Sequence, residues 1–208
     1  MRPLPFGYTV VLAGRRVLRR MAGDEGRPSP RSALIMPFAY YARLSPARQR
    51  IYRQSEAIAV LDLPAGVVAA SHTARIRASL NGEDRAGVQA ASQALIDALV
   101  VGYRVPPIRV RVLARRPADD GGELHGLYEP DEADTPARIT VWMRTAARKD
   151  VVAFKTYLRT LIHELCHHLD YELYKLPETF HTEGFYKRES SLVNALLREE
   201  STAGDVPG

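Results

Sequence analysis

From residue 84 onward the apolar positions change period twice, from helical spacing to strand alternation and back. Val88, Ala91, Leu95, Ile96, Leu99 and Val100 recur at helical intervals and predict a helix from Asp84 to Tyr103 with one buried face. Pro106-Pro107 ends it, and Ile108 to Leu113 then alternates apolar with charged residues, as a half-buried strand does. A turn at Gly121-Gly122 leads into a short predicted strand from Glu123 to Glu129. After a polar loop, Arg138 to Arg144 places Ile139, Val141 and Met143 on one face of a third strand. Helical spacing returns from Asp150 to Tyr174, and again from Gly184 to Glu200.

Before residue 84 the pattern is weaker. Ser45-Pro46 is an N-cap followed by proline at the first helical position, and it opens a predicted helix from Pro46 to Val60. Leu63-Pro64-Ala65-Gly66 closes that helix, and Val67 to Glu83 carries no period that decides its structure. Residues 1–35 are expected to be a disordered basic leader, with Met21 and Met36 as alternative starts. Residues 36–83 form a helical or irregular N-terminal segment, 84–200 the principal domain and 201–208 a flexible tail. The α-β-β-β-α-α order from residue 84 predicts an α+β fold with a small three-stranded sheet packed on helices.

Length and composition narrow this picture. The 208 residues are 46% hydrophobic, enough for one domain with a core. No apolar run is long enough for a transmembrane helix, so no membrane partner is expected. A lone cysteine, Cys166, removes an internal disulfide and every four-cysteine zinc ribbon, and it suits a reducing, cytoplasmic setting. Charge is unevenly spread. Residues 1–60 hold 11 basic and 3 acidic residues, whereas residues 161–208 hold 4 and 9. A basic N-terminal arm is one route to nucleic acid. An arginine-rich composition is the plainer account, since arginine outnumbers lysine 25 to 4.

The chemistry concentrates in His163-Glu164-Leu165-Cys166-His167. Histidines four apart on a helix share a face and can bind one zinc ion, and the glutamate between them lies about 100° round the helix, within reach of a water on that metal. Six histidines and 13 glutamates would produce this pattern by chance about 0.01 times in such a chain. Around the same helix, Phe154, Leu158, Leu161, Leu165 and Leu169 cluster at about 160–240° from His163, while His167 and Asp170 lie within about 40° of it. One face is core and the opposite face offers nitrogen and oxygen donors. A catalytic zinc takes a third protein ligand, and His181, Glu178, Glu183 and Glu189 are the downstream candidates. The metzincin continuation is absent, because Asp170 and Leu173 stand where glycine and histidine would be required. A break near Lys175-Leu176-Pro177 would return the chain and bring His181 to the first pair. Glu189 is the rival third ligand, at the spacing that thermolysin-like sites use.

His163-Glu164-Leu165-Cys166-His167 followed by His181-Thr182-Glu183-Gly184-Phe185-Tyr186 resembles the SprT-like and related minimal zincin metallopeptidases, over residues 84–200. The resemblance implies a zincin-like active-site helix, Zn2+ held by His163, His167 and His181, and Glu164 as general base. It also implies hydrolysis of a protein or peptide substrate by a water that zinc activates. Two alternatives stay open: a catalytically silent metal-binding regulatory protein, and a nucleic-acid-associated protein that uses the basic N-terminal arm. Some SprT-like proteins act on protein–DNA crosslinks and carry a cysteine-rich ribbon, which this chain lacks.

Other residues carry weaker expectations. Asp170 either orients a histidine from behind or is a solvated carboxylate. His168 lies off the donor stripe and reads as a packed or surface residue, and Cys166 as a buried thiol. His125-Gly126-Leu127-Tyr128 could form an edge strand that accepts substrate backbone, with Gly126 permitting close approach. Tyr171 and Tyr186 are candidate donors to an oxyanion. His72 has no partner in the sequence.

Overall fold

The computed structural model describes residues 9–11, 38–119, 122–132 and 135–204. Its elements in chain order are β1 (Thr9–Val11), α1 (Pro46–Ala57), α2 (Ala70–Asn81), α3 (Arg85–Tyr103), β2 (Arg109–Arg115), β3 (Ala118–Asp119), β4 (Gly122–Glu123), β5 (Gly126–Glu129), β6 (Arg138–Arg144), α4 (Phe154–Glu172) and α5 (Glu183–Gly204). The fold is α+β: among the described residues, five α-helices pack with a small mixed sheet.

In that sheet β6 lies between β2, parallel to it, and β5, antiparallel to it. The registers set Val110 beside Ile139 and Tyr128 across from Ile139. Five consecutive residues of β6, Ile139 to Met143, are buried, so both its faces are covered and not only the one that the alternation marks. Thr9–Val11 adds a parallel fourth strand outside β5. The rest of the leader, and the arginines on which the nucleic-acid reading rests there, lie outside the described residues.

On the opposite edge α3 closes β2. The amides of Gln89 and Gln93, four residues apart on α3, accept from Val112 N at 3.1 Å and Val110 N at 2.7 Å, and Gln93 also donates to Ile108 O at 3.0 Å. Edge groups that would otherwise need water are satisfied by a helix instead.

Three expectations need correcting. The strand predicted over Glu123–Glu129 is broken: Glu123 belongs to a two-strand β3–β4 turn, and β5 begins only at Gly126. Glu123 is held there by Arg116 and by the amides of Ala146 and Ala147. The undecided stretch contains α2, whose buried stripe is Thr73, Ile76 and Leu80, preceded by the buried N-cap residue Ala69. The small Ala69 and the polar Thr73 thin that pattern, and Thr73 returns its hydroxyl to the carbonyls of Ala69 and Ala70. The helix expected from Asp150 starts at Phe154, because residues 150–152 instead pair with the end of β6 through Thr145 N to Asp150 O and Val152 N to Met143 O.

Elsewhere local signals hold. Ser45 caps α1 with Pro46 at its first position, although α1 stops at Ala57. A single apolar cluster runs from Leu61, Ile76 and Leu80 through Leu95 and Ile139 to Leu165 and Leu196. It crosses the 83/84 boundary, and α2 packs on both α3 and α5. Among the described residues no helix is long and apolar enough to cross a membrane.

Candidate metal centre

α4 is built as the sequence indicates. Leu158, Leu161, Leu165 and Leu169 are fully buried on one side, and His163 and His167 project from another. The helix ends at Glu172; Lys175 then adopts the left-handed conformation (φ 53°) and Leu176 N bonds back to Asp170 O at 2.8 Å. That reversal carries residues 177–182 back along α4. Thr182 caps α5 through its hydroxyl, which accepts from Phe185 N at 2.9 Å.

The consequence is a convergence of three imidazoles. His163 Nε2 and His181 Nε2 are 3.0 Å apart, and His181 Nε2 and His167 Nε2 are 3.2 Å apart. Tetrahedral zinc with nitrogen ligands at about 2.0–2.1 Å separates those nitrogens by about 3.3 Å. The cluster could therefore hold a metal ion. Its chemistry agrees. Burial and the neighbouring His163 push the His181 imidazole down to about 3, and burial holds that of His167 well below its ordinary value. Neutral rings with aligned lone pairs are what a cation requires.

The far side of each helix-borne ring is fixed. Asp170 is buried against Arg188, 2.7 Å away; burial raises its carboxyl above the ordinary value, against the opposing pull of Arg188 and Thr179. Thr179 donates to Asp170 Oδ2 at 2.7 Å, and that commits its only hydrogen. His167 Nδ1, 2.8 Å from the same hydroxyl, must then donate, and this leaves Nε2 with the free lone pair. His163 Nδ1 meets Glu189 Oε2 at 2.7 Å, and Glu189 is in turn held by Arg159. Glu189, the rival third ligand, thus stands behind His163 and outside the cluster. Glu178 pairs with Arg48, and Glu183 with Lys187.

Glu164, one residue along α4, is wholly buried and lies under β5. A Cβ on Gly126 would stand 2.1 Å from Glu164 Oε1, so any larger residue there would require Glu164 or β5 to shift. Two residues on, the Tyr128 ring stacks near His167 at 6.3 Å. β5 therefore roofs the site, but its outer edge is already paired with Thr9–Val11. His168 is packed: Nε2 donates to Pro106 O at 3.0 Å, and Nδ1 accepts from Tyr128 at 3.2 Å. Cys166 is buried and its thiol is pushed up. Tyr186 lies over His181, with burial raising its hydroxyl to about 12, whereas Tyr171 stacks on Tyr128 away from the cluster.

Sequence reasoning missed Thr179 and Arg188, and it gave α1 no role. Arg188 is fully buried and donates to Ser55 O (2.7 Å) and Ile58 O (2.6 Å) at the end of α1, besides Asp170. Gly184 lets that end approach, since a Cβ there would lie 2.4 Å from Glu56 O. Nothing in residue spacing ties Ser55 to Asp170. Comparison of the chain with protein-family models, with curated proteins and with solved structures finds no match.

Proposed function

We propose that this chain is a zinc-dependent metallopeptidase of the minimal zincin kind, with His163, His167 and His181 as metal ligands and Glu164 as general base. The observation that carries this reading is the convergence of three Nε2 atoms, two of them on one helix turn with a buried glutamate between. Zinc bound there would supply Lewis acidity toward a carbonyl and acidify a water. The chain's own residues do the rest. Glu189 and the Thr179–Asp170 pair orient the rings, Glu164 takes a proton from the attacking water, and it passes that proton to the leaving amine. Backbone of an extended substrate would pair with β5 only by displacing Thr9–Val11.

Two measurements test the reading. Purified wild type should hold about one zinc per chain; His181→Ala should lose it, whereas Glu189→Ala should keep it with weakened affinity. Zinc-loaded wild type should cleave members of a peptide library that Glu164→Gln leaves intact. Equal turnover by both proteins would reduce the site to a metal-binding one.

A further inference from the structure

Few large apolar side chains are exposed among the described residues, and two of them touch each other beside the histidine cluster. Phe38 is 42% exposed and Tyr186 38%, with ring centroids 6.2 Å apart at 74°. Tyr186 stacks on His181 at 5.8 Å and 16°, and its centroid is 6.1 Å from that of His163. The pair is thus continuous with the metal centre, unlike Val68 and Val101, which line a separate hollow near His72.

Phe38 is also held in place. Its amide donates to the Tyr52 hydroxyl at 3.1 Å, its ring stacks on Tyr40 at 6.2 Å and 3°, and the Tyr40 hydroxyl donates to His181 O at 3.2 Å. Tyr52 is buried in turn against Phe180. Preformed aromatic surface that remains in contact with water, at the rim of a polar site, is what a ligand side chain covers. The charges around this cluster are paired, Glu183 with Lys187 and Arg48 with Glu178, each at 2.7 Å, and Glu189 with His163 and Arg159, so none of these stands unmatched to favour a charged occupant.

We infer that Phe38 and Tyr186 form the side-chain subsite for a large apolar residue, aromatic by preference, flanking the bond that is hydrolysed. This rests on the peptidase reading above. An incoming ring can pack edge-to-face on either member, as they pack on each other. The role belongs to the ring of Tyr186 and not to its hydroxyl.

The test uses the full chain, zinc-loaded and carrying Glu164→Gln, with fluorescent peptides that differ only in phenylalanine or alanine at one position. Anisotropy should show the phenylalanine peptide binding about tenfold more tightly at one or two positions. Phe38→Ala and Tyr186→Ala should each remove most of that preference, and Tyr186→Phe should keep it, with melting temperature and zinc content checked for every variant. Equal binding of both peptides, a preference that survives both alanine variants, or its loss in Tyr186→Phe would overturn the inference. Intact selection by a protein whose wild type cleaves nothing would remove the peptidase reading and leave the subsite standing.

Discussion

Asp170→Asn changes one atom and should weaken metal binding without touching a ligand. Asp170 Oδ2 accepts from Thr179 and Oδ1 from Arg188, so both oxygens of the native carboxylate are acceptors. Asparagine offers one acceptor and one donor. If its oxygen faces Arg188, its NH2 faces Thr179. The hydroxyl then turns its hydrogen to His167 Nδ1, and the ring becomes the Nε2–H tautomer, with a hydrogen where the metal should sit. If its oxygen faces Thr179 instead, two donors confront each other at Arg188. Loss of an outer hydrogen bond to a ligand lowers metal affinity about 10–100-fold, which is about 1.4–2.7 kcal/mol. Both partners are buried, 0% and 1% exposed at the side chain. Breaking such a pair destabilises by about 3–5 kcal/mol, toward the lower end where a neutral hydrogen bond survives. Chelator competition with zinc would measure the first effect and urea melts of the metal-free protein the second. Thr179→Val should reproduce the affinity loss with a smaller loss of stability, because it spares the Asp170–Arg188 pair. Wild-type zinc affinity in a destabilised Asp170→Asn would refute the relay and leave Asp170 a purely structural partner of Arg188.

Three further outcomes are expected. Gly126→Ala should displace Glu164 or β5, since its Cβ would lie 2.1 Å from Oε1, and so abolish hydrolysis while zinc content stays at wild-type level; unchanged turnover would separate Glu164 from the reaction. Placing proline at both Thr9 and Val10 removes a ladder donor whichever amide faces β5, and it should raise turnover of extended peptides severalfold if strand β1 competes with them. No rise would mean that substrate avoids that edge. The metal-free protein should lose stability as pH falls below about 6.5, where the unfolded histidines gain protons that buried His167, His168 and His181 refuse. Each contributes up to about 1.4 kcal/mol per pH unit until its own lowered value is reached, and urea midpoints at pH 7, 6 and 5 would check it; a flat profile would contradict the burial of these rings.

Much of this fold is legible where a local period is strong. α3, β2 and the apolar face of α4 follow from spacing alone, because each buries one stripe, and β6 is legible as a strand although both its faces are buried. α2 is obscured because its buried face holds only Ile76 and Leu80 beside Thr73, with the small Ala69 at the cap, and such a stripe has little periodic contrast. The split of the Glu123–Glu129 segment depends on Arg116 and on two amides more than twenty residues away, beyond what a local pattern can encode.

The candidate site divides in the same way. His163, Glu164 and His167 sit within one helical turn, so helix geometry and residue type determine their common neighbourhood before any folding is considered. The choice between His181 and Glu189 is different in kind. Both lie downstream at workable spacings, and only the reversal at Lys175, with the capping of α5 by Thr182, turns His181 toward the cluster and sets Glu189 behind His163. Thr179, Asp170, Arg188 and Ser55 become a network only when α1 docks against α5, since no period in a sequence encodes contacts more than 130 residues apart. Likewise Phe38 reaches the rim of the cluster through tertiary hydrogen bonds to Tyr52 and, by way of Tyr40, to His181. Covalent spacing determined which donors this protein owns; packing of distant segments decided where each one points.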